Sequence, residues 1–465
     1  IGYYDLILPE GGQKRLYQSL TTRTYRYMQL EITTGKDPLT IHELYGIFTA
    51  YPFERNARVS TGDSFHDHLQ NIGWRTARLC AAETYMDCPY YEQLQYLGDT
   101  RIQSLISLYV SGDDRLMRNT LEQADHSRLP DGLTLSRAPS AIPQIIPPFS
   151  LYWVDMVHDY YMHRQDDPFV ESFLPGIEAV LGWFQRRMRD DGLMGGLEWL
   201  NFTDWTGGFM VGSPPGVDLG GSALISLNFA YALDRAAELF THFGQAHKAG
   251  VYAKLSSEIK AAVFDLCFDE KRGLLADTPD KKDFSQHTNI FGILTGSLPA
   301  ANQQEVMKNV MEDSSLVQTT IYYKFYLFEA LFKAGMGDLY LSLLDPWKEM
   351  IQKGLTTWEE GDYDERSDCH AWGSSPNYHL LSIVCGINPM APGFREVSIT
   401  PMLGQLKHIE ASMPHPMGNI KATYDHKPGK KLVATIHLPP ETTGLFEWKG
   451  FSRILKPGTQ TFTLK

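Results

Sequence analysis

The sequence predicts a mainly α protein, an (α/α)6 barrel flanked by an N-terminal β-segment and a C-terminal all-β sandwich. Three observations carry this expectation. Apolar residues recur at helical spacing from about residue 60 to 388, the period drops to two on either side of that stretch, and no sequence repeat recurs along the chain. The implied domains are a β-rich segment at 1–57, a catalytic-sized helical domain at 58–388 and a β-domain at 389–465.

In the first of these, Tyr25–Ile32 alternates apolar and polar residues with one slip at Met28, and Tyr45–Tyr51 reads as a second strand. So short a β-segment cannot bury both faces alone, so it is expected to be the tail of a truncated β-domain or a sheet docked on the helical domain. The chain opens on Ile1 rather than methionine. It therefore reads as processed or cut from something longer, and the lack of a visible leader leaves the compartment open.

In the helical stretch, Phe65, Leu69, Ile72, Thr76 and Leu79 follow the 4-3-4-3 spacing of one buried helix face. Comparable patterns recur near 99–111, 149–164, 169–188, 222–243, 247–267, 301–312, 321–335, 337–353 and 376–386, with a shorter one at 115–127. Helices of this length with short connections pair antiparallel, in a solenoid or a closed ring. The missing repeat disfavours a solenoid, and six hairpins need twelve helices, close to this count. After Gly386–Gly393 the segments Lys421–Tyr424, Leu432–Leu438 and Gly444–Trp448 alternate again between turn residues, as in a sandwich.

Composition narrows the function classes. A 465-residue chain with 43% hydrophobic and 21% charged residues can bury a large core. A net charge of −13 argues against nucleic acid and anionic membranes as partners, since both demand basic patches. No apolar run approaches the roughly 18 residues of a membrane span. Cys80, Cys88, Cys267, Cys369 and Cys385 are too few and scattered for a disulfide framework, and no Cys or His spacing suggests a structural zinc.

The densest chemistry lies in Met86–Arg101, where Asp87, Glu92 and Asp99 stand among Tyr90, Tyr91 and Tyr96. Crowded carboxylates raise one another's proton affinity, and glycosidic bond cleavage needs a carboxyl that is protonated near neutral pH. Tyrosines supply the flat faces and hydroxyls that suit a sugar ring. Asp87 ahead of Pro89 would serve equally as a helix cap, and that alternative stays open at this level.

The run Asp87-Cys88-Pro89-Tyr90-Tyr91-Glu92-Gln93, followed by Gly98-Asp99, resembles the signature of the glycoside hydrolase family 78 α-L-rhamnosidases. So does the downstream pair Thr356-Thr357-Trp358-Glu359-Glu360 and Arg366-Ser367-Asp368-Cys369-His370-Ala371-Trp372. The resemblance implies an (α/α)6-barrel glycosidase that needs no metal or organic cofactor and acts on rhamnose-containing glycans or glycosides. It implies Glu92 as general acid and Glu360 as general base, with Glu359 the adjacent competitor. His370 would bridge a sugar hydroxyl, and Trp358 and Trp372 would line the pocket. Tyr91 and Tyr96 stand where the family more often carries arginine and tryptophan, which affects leaving-group preference more than the chemistry.

Asp87 and Asp99 suit the recognition of vicinal hydroxyls, because an ionised carboxylate accepts two hydrogen bonds in fixed directions. Asp204, beside Trp205 in the Gly-flanked segment Asn201–Trp205, belongs with them. Cys88 and Cys369 are expected to approach each other as small thiols beneath the site. The rivals are another barrel glycosidase, a polysaccharide lyase using a Tyr–His pair, and a non-catalytic glycan binder.

Overall fold

The computed structural model describes residues 4–361, 366–426 and 431–464. Residues 51–464 form one unit, and the segment up to Ala50 forms another.

Among the described residues of the larger unit, twelve helices alternate between two roles, and a thirteenth of five residues, Asp167–Glu171, lies between two of them. The twelve are α1 (Ser64–Leu79), α2 (Leu97–Val110), α3 (Arg115–His126), α4 (Pro147–His163), α5 (Leu174–Gln185) and α6 (Ala223–His242). They continue as α7 (Ala246–Cys267), α8 (Gln286–Thr295), α9 (Ala300–Glu312), α10 (Lys324–Lys333), α11 (Asp345–Gln352) and α12 (Pro376–His379), which runs on as a π turn over Leu380–Val384. The even-numbered helices pack side by side: α2 on α4, α4 on α6, α6 on α8, α8 on α10 and α12 back on α2. Between α10 and α12 the ring is closed by Phe325 against His379, with ring centroids 5.0 Å apart. The odd-numbered helices pack outside, α3 on α2 and α4, α7 on α6, α9 on α8. This is a ring of six inner helices backed by six outer ones.

Burial explains which helices the sequence revealed. Outer helices keep a solvent face, so α3 and α11 are strongly amphipathic. Inner helices are buried over more of their circumference, and in α2 every residue is buried. The helix absent from the sequence expectation is α8, ten residues, nine of them buried, without a polar stripe. The expected helix at 169–188 divides into Asp167–Glu171 and α5, and that at 337–353 into a 3-10 turn over Gly337–Leu343 and α11. Pro168, Pro175 and Pro346 each sit in the first turn of the helix that restarts, where a missing N–H costs nothing.

Among the helices the short strands β2 (Phe268–Asp269) and β3 (Leu274–Leu275) pair antiparallel, and the β-domain itself is two sheets. One has the order β1-β6-β7-β8-β11, formed by Arg58–Ser60, His408–His415, Gly418–His426, Leu432–Leu438 and Gly458–Leu464. The other has the order β10-β9-β5-β4, formed by Phe451–Leu455, Thr443–Trp448, Glu396–Ile399 and Ile387–Pro389. Alternation is strict in β8, where Leu432, Ala434, Ile436 and Leu438 face inward. The sandwich meets the C-terminal end of α2, where Tyr109 Oη donates to the Ile387 carbonyl at 3.1 Å.

Two boundaries differ from expectation. β1 lies before the helices yet pairs with β6, and β4 spans the expected 388/389 boundary, so the sandwich is assembled from both sides of the ring. Residues 4–57 form no strand, and the strands expected at 25–32 and 45–51 are not made. Tyr25, Tyr27, Leu30, Ile32, Tyr45 and Ile47 are exposed. A strand is stable only where a neighbour pairs its backbone and a surface covers its apolar face; alternation alone supplies neither.

Candidate active site

The Asp87–Gln93 run does not open a helix. It is a loop folded by Asp87, whose Oδ1 accepts the Leu94 N–H at 2.9 Å while its own N–H donates to the Leu94 carbonyl at 2.9 Å. The helix-cap reading of Asp87 is thereby set aside, and Glu92 lies in a turn rather than in the first turns of a helix. The chain then enters α2, with Asp99 in its first turn. Gly98 allows this turn to lie close to its neighbours: a Cβ there would sit 2.6 Å from the Phe149 ring and 2.7 Å from Tyr322 Oη.

The downstream motif pairs with itself. The Glu360 N–H donates to the Ser367 carbonyl and the His370 N–H to the Trp358 carbonyl, both at 2.8 Å. Successive residues of an extended segment point to opposite sides, and this separates the two glutamates. Glu359 is buried against Lys353 at 3.2 Å, near the end of α11. Glu360 faces Arg366 and His370. The Ala371 N–H donates to the Asp87 carbonyl at 3.2 Å, which locks the two motifs together.

Arg366 joins the two glutamates. Its Nη1 donates to Glu92 Oε1 at 2.8 Å, and its Nη2 and Nε reach Glu360 at 3.3 and 3.4 Å. Beneath them His370 Nε2 contacts Asp99 Oδ1 at 2.9 Å, and His370 Nδ1 lies 3.9 Å from Glu360 Oε2. Burial lifts the Asp99 carboxyl to about 6, against the pull of His370. Burial also presses on His370, but Asp99, Glu360 and Asp87 together outweigh it and raise its proton affinity. Burial likewise raises Asp87, with His370 opposing.

Aromatic walls complete the cluster. Trp372 donates from Nε1 to the Glu360 carbonyl at 2.7 Å and stacks on Tyr322, with ring centroids 4.4 Å apart. Tyr96 receives a hydrogen bond from Arg137 Nη1, and its phenol is pushed up by burial and by neighbouring Glu92. Tyr91, 54% exposed, meets Tyr90 edge to face at 5.0 Å.

Several expected site residues lie elsewhere. Trp358 is fully buried between Gly73 and Gly373, in the core rather than on a pocket wall. Asp204 is also fully buried: Oδ2 accepts from His287 at 2.7 Å and from the Thr320 N–H at 3.0 Å, with Thr320 Oγ1 on Oδ1. Those partners satisfy it as a tie between loops, and Trp205 packs half-buried on Phe202 at 4.8 Å. The thiol facing Cys369 is that of Cys80, at 4.0 Å, while Cys88 donates to Asp87 Oδ2 at 3.0 Å. Sequence reasoning assigned no role to Arg366, Arg137 or Tyr322. Arg366 stood inside the second motif, but nothing local marks Arg137 or Tyr322, whose relevance arises only from ring closure.

Comparison with known proteins agrees with this architecture. The bacterial alpha-L-rhamnosidase 6 hairpin glycosidase domain matches residues 54–384, some seven-tenths of the chain. The chain belongs to this family. The bacterial alpha-L-rhamnosidase C-terminal domain matches residues 386–446. Among solved structures, a GH78 family rhamnosidase of Bacillus sp. GL1 superposes with a TM-score of 0.78 at 25% identity, covering 86% of this chain and 43% of that one. The alpha-L-rhamnosidase of Dictyoglomus thermophilum gives 0.76 at 16%, covering 89% and 51%. That of Streptomyces avermitilis, complexed with L-rhamnose, gives 0.76 at 18%, covering 89% and 42%. The chain thus spans about half the length of these relatives or less. No curated protein sequence matches it.

Proposed function

We propose that this chain hydrolyses terminal α-L-rhamnosides with inversion, Glu92 acting as general acid and Glu360 as general base. The observation that carries the reading is the sharing of one guanidinium by these two carboxylates, contributed by loops far apart in sequence. Membership of the rhamnosidase family supports the sugar.

In the reaction, Glu92 gives its proton to the glycosidic oxygen as the bond to the anomeric carbon breaks. Glu360 takes a proton from the water that attacks the opposite face, through an oxocarbenium-like state. Arg366 lies between the two carboxylates, which outweigh its partial burial and hold its guanidinium firmly charged, Glu360 first and then Glu92. A sugar seated between the two parts Arg366 from Glu92 and frees that carboxyl to face the glycosidic oxygen. Asp87, Asp99 and His370 form a buried polar floor suited to the sugar hydroxyls, with Tyr96, Tyr91 and Trp372 beside it. A Tyr–His lyase is disfavoured, since a phenol acting as base needs a lowered proton affinity and that of Tyr96 is raised.

The test is to incubate the protein with an aryl α-L-rhamnoside and follow the released phenol and the sugar by proton NMR. β-L-Rhamnose appearing first supports inversion. α-L-Rhamnose first means retention, and an unsaturated, ultraviolet-absorbing product means a lyase.

A further inference from the structure

All five cysteines are free thiols, and two of them meet where the two motifs join. Cys80 Sγ lies 4.0 Å from Cys369 Sγ, although 289 positions of chain separate the residues. It also approaches the Cys369 carbonyl at 3.9 Å. A disulfide holds its sulfurs about 2 Å apart, so each of these two has about 1 Å to travel.

The backbone around each thiol leads into the candidate site. Cys80 ends α1, and its carbonyl accepts the Met86 N–H at 2.8 Å and Gln103 Nε2 at 3.4 Å. It therefore holds the start of the Asp87 loop to α1 and α2. Cys369 stands directly before His370, whose N–H donates to the Trp358 carbonyl at 2.8 Å and whose Nε2 contacts Asp99 at 2.9 Å. The loop of Glu92 and the loop of Glu360 are held together by hydrogen bonds and ion pairs, such as that from the Ala371 N–H to the Asp87 carbonyl. A bond between the two sulfurs would add a covalent tie at this junction.

The two thiols have different surroundings. Cys80 is fully buried, while Cys369 is partly exposed. Burial first, and then Cys369, raises the Cys80 thiol well above its ordinary value. An oxidant thus meets Cys369 first, and Cys80 waits behind it at contact distance as the resolving thiol.

We propose that Cys80 and Cys369 are a latent redox staple, a pair that closes into a disulfide with glutathione disulfide as oxidant and ties the second motif to the end of α1. The Cys369 thiolate attacks one sulfur of glutathione disulfide, forming a mixed disulfide and releasing one glutathione. Cys80 then attacks the Cys369 sulfur, and its proton passes to the second glutathione as that leaves. Two protein thiols and one glutathione disulfide become one protein disulfide and two glutathione thiols. The loop closed in this way spans 289 positions. Closing so long a loop removes freedom from the unfolded chain and stabilises the folded one. The inference rests on the thiol geometry and stands apart from the choice of sugar.

The experiment incubates the full chain with glutathione disulfide, alkylates the remaining thiols, digests without reduction and reads linked peptides by mass spectrometry. The expected product is a peptide pair joined through Cys80 and Cys369 that dithiothreitol separates, with Cys88, Cys267 and Cys385 alkylated. The oxidised protein should melt several degrees above the reduced one, and dithiothreitol should reverse the gain. Cys80→Ser and Cys369→Ser should each abolish the oxidant-dependent rise. The comparison of oxidised and reduced wild-type protein needs neither variant, so a serine variant that fails to fold leaves the result standing. Glutathione retained on Cys369 as the final product, a bridge through Cys88, or a Cys80–Cys369 bridge that leaves the melting midpoint unchanged overturns the proposal.

Discussion

His370 Nε2 donates to Asp99 Oδ1 across 2.9 Å, joining the end of the second motif to the first turn of α2. Both groups are buried, so the pair titrates as a unit, and each partner's charge determines the other's. The imidazole is held above its ordinary value, against burial, by Asp99 first and then Glu360 and Asp87.

Asp99→Asn should therefore let burial win and drop His370 below its ordinary value, readable from its ring protons in an NMR titration. A histidine raised in the fold contributes its full stability below its unfolded value near 6.5 and loses that contribution as pH rises through the folded one. The destabilisation by Asp99→Asn, about 1–3 kcal/mol for a charged hydrogen bond, should be larger at pH 6 than at pH 9 in denaturant melts. An equal loss at both values would show that His370 is not charged by this contact.

Glu92→Gln should lose about 10²–10⁴ in rate on a natural rhamnosidic linkage but far less on an aryl rhamnoside with a good leaving group, which needs little protonation. Glu360→Gln should be impaired on both, since water must be activated either way. Equal losses for Glu92→Gln would remove it as the acid. Near-normal rates for Glu360→Gln would move the base elsewhere; Glu359, buried on Lys353, is poorly placed to take over.

In a crystal of the rhamnose complex, the Glu92 and Glu360 carboxylates should stand roughly 6.5–9.5 Å apart, with room for a water. A separation near ~5 Å would mean retention. No residue after about 393 should touch the sugar. The sandwich meets α2 at Tyr109, ten residues and about 15 Å of helix from Asp99, and one direct contact from it would refute this.

Gly98→Ala should destabilise the protein by about 1–3 kcal/mol, an overpacking cost. The added methyl meets the Phe149 ring of α4 and Tyr322 Oη in the turn before α10, both fully buried. Thermal melts measure it, and an unchanged midpoint would show that this wall yields freely.

The sequence alone determined the class of this protein, because periodicity is local. A 4-3-4-3 stripe such as Phe65–Leu79 marks an outer helix, and the alternation in Leu432–Leu438 marks a sandwich strand, whatever surrounds them. Through their resemblance to a family signature the two motifs also singled out Glu92, Asp99, Glu360 and His370 as expected site residues. Periodicity could not show α8, which has no polar face to reveal it, nor prevent strands being read into residues 25–51, where no neighbour pairs the backbone. Tertiary structure decided what depends on direction and distance: that Glu360 turns inward while Glu359 turns to Lys353, that Trp358 and Asp204 are buried ties, and that Cys80 rather than Cys88 faces Cys369. It also placed Arg366 between two carboxylates and Arg137 beside Tyr96. Closing the ring brings residues hundreds of positions apart to one point, and no local pattern encodes which side chains meet there.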